Sequence, residues 1–124
     1  MIKIAALLAC ALLLAPAYAS DESDSDVTYE ALRDTIDIGR GAEFDEERVL
    51  LSVRAIGWLG GVYDTLGMNA QAGSLMRICS HGSVSAETMA RVYTSYMDAH
   101  PESHSMPNLS VAIVSAMQAY PCKA

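Results

Sequence analysis

The chain has 124 residues, 15 of them acidic and 8 basic, for a formal charge of −7. That balance excludes nucleic-acid binding through a basic face. The length supports one modest hydrophobic core and not two domains.

Lys3 precedes an apolar run from Ile4 to Leu14, which ends in Ala15-Pro16-Ala17-Tyr18-Ala19. The run is too short to span a bilayer, and Ala17 and Ala19 supply the small residues a signal peptidase accepts. Residues 1–19 are therefore expected to be a cleaved secretory signal peptide. Cys10 sits in the middle of that run and is expected to be discarded with it, not acylated. Cleavage leaves 124 − 19 = 105 residues and removes Lys3, so the mature charge is 7 − 15 = −8. Most of it lies at the front. Residues 21–47 carry 11 acids against Arg33 and Arg40, whereas residues 48–124 carry 4 acids against 5 bases. Residues 20–26 (Ser-Asp-Glu-Ser-Asp-Ser-Asp) hold no apolar side chain and are expected to form a disordered acidic leader ahead of a folded domain at 27–124.

From Thr28 to Ile38 the residues Tyr29, Leu32 and Ile36 recur at helical spacing, and Gly39 and Gly41 end the pattern. A second helix is expected to start near Phe44, with Asp45, Glu46 and Glu47 at its positive end. It continues as the central helix, in which Leu51, Ala55, Leu59, Val62 and Leu66 form an apolar stripe up to a stop at Gly67. Gly57, Gly60 and Gly61 each cost helix stability relative to alanine, so they are expected to admit close approach of another backbone or side chain beside Trp58. Residues 69–82 are polar and read as a long loop. Ser85 is placed to cap a helix from Ala86 to about Ala99, with Met89, Val92, Tyr93 and Tyr96 on its apolar face. Pro101 ends it, because the residue before a proline is pushed out of helical conformation. After a loop at Glu102 to Ser105, Pro107 suits the first turn of a last helix that runs to about Tyr120, with Leu109, Ile113, Ala116, Met117 and Tyr120 inward. The expected fold is thus all-α, a small four-helix domain with one disulfide.

That disulfide follows from cysteine usage. Once Cys10 is removed only Cys79 and Cys122 remain, and two thiols exported to an oxidising compartment most often pair; free thiols or a bridge between chains are the alternatives. No catalytic motif accompanies them, neither a Gly-rich phosphate loop, nor Gly-x-Ser-x-Gly, nor His-Glu-x-x-His. The chain does not read as an enzyme, and no cofactor is expected. His100 and His104 have a spacing that could chelate a metal on a helix, but Pro101 lies between them, so both read as surface-loop histidines. Met68, Met76, Met89, Met97, Met106 and Met117 read as flexible core filler.

Several segments in fixed order resemble a known family. They are Ala55-Ile56-Gly57-Trp58-Leu59-Gly60-Gly61-Val62-Tyr63-Asp64; Cys79 followed by Ser85-Ala86-Glu87-Thr88-Met89; Tyr96-Met97-Asp98-Ala99-His100-Pro101-Glu102; and Ala116-Met117-Gln118-Ala119-Tyr120-Pro121-Cys122. Over roughly residues 48–122 the chain resembles the Rap/Tai family of type VI secretion amidase immunity proteins. It departs from the pattern in having Val53, Arg54 and Ala55 where relatives often carry a cysteine. It also has Ser80 and His81 where a proline commonly follows the cysteine.

The resemblance implies a periplasmic inhibitor that binds a cognate peptidoglycan amidase toxin, a papain-like cysteine amidase, and covers its active site without catalysis of its own. It points to Pro101, Glu102, Ser103, His104, Ser105 and Met106 as the segment that enters the toxin's cleft, a plain interhelical turn being the alternative. It also implies a homodimer, for which Gly57, Gly60, Gly61 and Trp58 could supply the contact. Two other functions compete. One is a small periplasmic binding or chaperone-like module with no toxin partner. The other is a cryptic hydrolase that uses Asp64 or Glu87 with His81.

Overall fold

A computed structural model of the chain describes residues 24–123. The expected signal peptide and the first four residues of the expected leader lie outside them. The fold is all-α: α1 (Asp24–Gly39), α2 (Glu46–Gln71), α3 (Ala86–Ala99), a 3-10 turn η1 (Pro101–Ser105) and α4 (Asn108–Ala119). α1 lies against both α2 and α3, and α4 closes the bundle mainly on α3.

The core forms where the apolar stripes converge. Leu32 of α1, Leu59 and Leu66 of α2, Ala90, Tyr93 and Met97 of α3, and Val111, Ala112 and Ala116 of α4 are all buried. Burial of such side chains is the main favourable term for so small a domain. The methionines divide: Met89 and Met97 fill the core as expected, whereas Met68 and Met76 face outward.

Local chemistry sets the helix ends. Asp45 caps α2 by accepting from the Arg48 amide at 3.0 Å, and Ser85 caps α3 by accepting from the Thr88 amide at 3.2 Å. These caps satisfy amides that have no partner inside the helix. α2 does not stop at Gly67. It runs to Gln71 and ends at Gly73, whose φ of +73° is the left-handed conformation that favours glycine. A single interior glycine costs about 1 kcal/mol, less than the burial of Tyr63 and Leu66 in the turn before it contributes.

Cys79 and Cys122 form a disulfide, with Cα atoms 5.0 Å apart. The backbone meets alongside it, the Cys79 amide donating to the Tyr120 carbonyl at 3.0 Å. The C-terminal end of α4 is thereby tied to the long α2–α3 connection, which Ile78 also anchors by its burial.

The chain departs from the sequence reading at its front. α1 begins at Asp24, so the last three residues of the expected leader are helical, and Ser25 is fully buried. The reason is polar rather than apolar: the Ser25 side chain finds partners across the bundle.

Candidate partner-binding surface

The segment 101–106 is a structured turn and not an open loop. Pro101 forces His100 out of helical conformation, to φ −129° and ψ 82°. The chain then winds into η1, held by the Ser103 amide donating to the His100 carbonyl at 2.9 Å and the Met106 amide donating to the Ser103 carbonyl at 3.0 Å. The Ser103 hydroxyl donates to the His100 carbonyl at 2.6 Å, and the Ser105 hydroxyl to that of Glu102 at 3.0 Å. Pro101, Glu102 and Ser105 are exposed, His104 and Met106 are half-buried, and Ser103 is completely buried. Five of the six candidate residues thus reach the surface, while Ser103 points into the protein.

Both flanks are stiffened. On one side the His100 ring stacks on Tyr96 with centroids 4.1 Å apart, its Nδ1 donating to the Tyr96 carbonyl at 2.8 Å. On the other, the first turn of α1 reaches over. The Ser25 hydroxyl contacts the carbonyl oxygens of Ser103 and His104, each at 3.1 Å, and His104 Nδ1 bonds the Asp26 carboxylate. Tyr29 adds an edge contact to the His104 ring and donates to Asp98 at 2.6 Å.

His100 and His104 each spend Nδ1 on a different partner, and among the described residues no group of three or more His, Cys, Asp or Glu side chains is placed to hold a metal. Glu87, weighed above as a hydrolase carboxylate, is paired with Arg91 on its own helix.

Sequence reasoning missed Ser25 and Asp26. A signal was present, because the spacing Leu32, Tyr29 carried back one more turn lands on Ser25. A hydrophobicity pattern gives a serine no weight there.

A second surface lies between α2 and α4, where Gly57 and Gly61 floor an apolar groove of about 580 Å³ flanked by Trp58, Val62, Leu109 and Ile113. Of the three glycines expected to admit a neighbour, only Gly60 does so within the described chain, with Met89 Cε 3.9 Å from the position a Cβ would take. At Gly57 and Gly61 an added Cβ would meet nothing within 4 Å. No described helix is long and apolar enough to cross a membrane.

The family model of Rap1a immunity proteins matches residues 40–122, a span that holds α2, α3, η1, α4 and both cysteines of the disulfide. Neither the curated proteins nor the solved structures give a match to the chain.

Proposed function

Because the chain belongs to the Rap1a immunity protein family, we propose that it binds one peptidoglycan amidase toxin of a type VI secretion system and occludes its active site. The family is one of immunity proteins and not of enzymes, and an immunity protein implies a cognate toxin. The finer reading is that the toxin is a papain-like cysteine amidase and that the turn Pro101, Glu102, Ser103, His104, Ser105 and Met106 enters its cleft.

The observation that carries this reading is the stiff, solvent-facing turn between α3 and α4. A turn already fixed at both flanks loses little conformational freedom on binding, so more of its contact energy appears as affinity. Glu102 offers a carboxylate to donors in a cleft, and Pro101 and Ser105 border it. The site of action is the periplasm, reached through the signal peptide at 1–19; the disulfide supports an oxidising compartment.

The protein acts as a homodimer built on the outer face of α2. Leu50, Arg54, Gly57, Gly61, Asp64 and Met68 are all exposed there. Antiparallel pairing of two α2 helices about the level of Leu59 sets Gly57 opposite Gly61, Leu50 level with Met68 and Arg54 level with Asp64. Such a patch is self-complementary, as a two-fold interface requires.

The test is an inhibition assay in which residues 20–124 are titrated into a panel of cell-wall amidases acting on peptidoglycan. Silencing of one cysteine amidase at defined stoichiometry is expected. Weak capture of many unfolded proteins with no amidase silenced would favour a chaperone-like module instead.

A further inference from the structure

We propose that Ser25 and Asp26, on the first turn of α1, are positioning residues for the partner-binding turn, so that a segment outside the family-matched span sets affinity for the partner. The inference rests on the reading of residues 101–106 as the partner-binding turn.

The turn cannot hold its own shape. A 3-10 helix of five residues has poor hydrogen-bond geometry, and so short a helix is not stable alone in water. Its own bonds and the His100–Tyr96 stack need support from elsewhere, and the contacts that add it on the α1 side are 78 and 79 residues distant in sequence. The Ser25 hydroxyl has one proton, which it shares between the carbonyls of Ser103 and His104. Those are the carbonyls at which η1 gives way to the extended link into α4. Next to it, the Asp26 carboxylate fixes the ring of His104, so the side chain cannot swing across the exposed face of the turn. Asn108, the first residue of α4, is held from the same helix, its Nδ2 donating to Thr28 at 3.2 Å.

The clamp is itself anchored. Tyr93, buried in α3, directs its hydroxyl at the Ser25 carbonyl from 3.4 Å, and Tyr29 bonds Asp98 near the end of α3. The first turn of α1 is therefore wedged between α3 and η1. It ties a turn closed only by short local bonds to the core. Residues 24–39 precede the matched span 40–122, so chains alike in α2, α3 and α4 can present the turn differently through this helix.

The test uses residues 20–124 and two measurements on each variant. The first is hydrogen exchange at the amides of Ser103, His104 and Met106, with amides of Leu59 and Leu66 as the reference for global stability. The second is calorimetric affinity for the amidase that the wild-type domain silences. Asp26→Ala is expected to speed exchange in the turn by tenfold or more while leaving the reference amides unchanged, and to weaken binding about tenfold by adding an ordering cost to association. Asp26→Asn, which keeps an acceptor oxygen, should recover part of both effects. In a His104→Ala background Asp26→Ala should add little, because it acts through that ring.

Unchanged exchange in the turn, or equal acceleration of turn and reference amides, would overturn the proposal. So would full affinity of Asp26→Ala for an amidase whose binding Glu102→Ala weakens. Ser25→Ala is a harsher probe of a fully buried site; Asp26, a third exposed, keeps the question open to test if that variant fails to fold. If the wild-type domain silences no amidase, the partner reading falls, and the exchange measurement still decides the clamp.

Discussion

Arg48 on α2 grips Asp34 on α1 with two parallel bonds, Nη2 to Oδ1 at 2.6 Å and Nε to Oδ2 at 3.0 Å. The Asp34 side chain is only 12% exposed, and the guanidinium also lies over the Phe44 ring, 4.1 Å from its centroid. Fork-to-fork pairing of this kind is among the stronger polar contacts, and it holds the guanidinium pKa above its ordinary value. Arg48→Met would strand a carboxylate that water reaches poorly, so the melting temperature should fall by several degrees. Arg91→Ala should leave it within scatter, since Arg91 and Glu87 are both near half exposed on one helix. Equal melting temperatures for the two variants would contradict this ranking.

The bridge between Cys79 and Cys122 joins residues 43 apart in sequence. On the chain-entropy model, closing a loop of that length stabilises by about 4 kcal/mol. The double variant Cys79→Ser/Cys122→Ser should lose most of that in urea unfolding followed by circular dichroism. A midpoint unchanged from wild type would mean that the Ile78 anchor and the Cys79–Tyr120 backbone bond suffice.

Two tyrosines make stability depend on alkaline pH. Burial raises the pKa of Tyr63 and of Tyr93 well above the ordinary value near 10. In the unfolded chain both ionise near that value while the folded chain keeps them neutral. Their contribution is therefore intact below pH about 10 and is lost as pH rises above it. Tyr63 has no hydrogen-bond partner for its buried hydroxyl among the described residues, so Tyr63→Phe should keep stability at pH 7 or raise it, and should shrink the loss at pH 11. A Tyr63→Phe variant that is destabilised at pH 7 would show that the hydroxyl is paired.

Gly57 separates dimer from fold. A Cβ added there meets nothing within 4 Å and the groove beside it is open and apolar, so Gly57→Leu should keep the helical spectrum and melting temperature of a folded domain. If two copies meet across α2, it should also convert the dimer to monomer in sedimentation equilibrium. A Gly57→Leu dimer would exclude this face as the interface.

The elements whose ends are set by local chemistry were legible in the sequence. Ser85 as a cap and Pro101 as a stop bracket α3, and Asp45 marks the start of α2, because caps and proline act within a few residues. The α2 stripe was read about one residue out of phase in its first half: Leu51 was expected inside and is exposed, while Ser52 is buried against Thr35, their hydroxyls 2.8 Å apart. Polar packing of that kind leaves no mark in an apolar pattern. The same holds at Ser25, whose burial depends on carbonyls 78 and 79 residues away. Leu109 was also expected inside, yet it borders the α2–α4 groove. The turn at 101–106 could be located from Pro101 and Pro107, but its 3-10 winding and the inward direction of Ser103 needed α1 in place.

The most direct test of the central claim is a calorimetric titration of the silenced amidase with the wild-type domain and with Glu102→Arg, each confirmed folded by its melting temperature. Glu102 is exposed on the turn, so reversing its charge should leave the fold intact and weaken binding by tenfold or more. Wild-type affinity in Glu102→Arg would contradict occlusion by this turn and move the interface to another face of the domain.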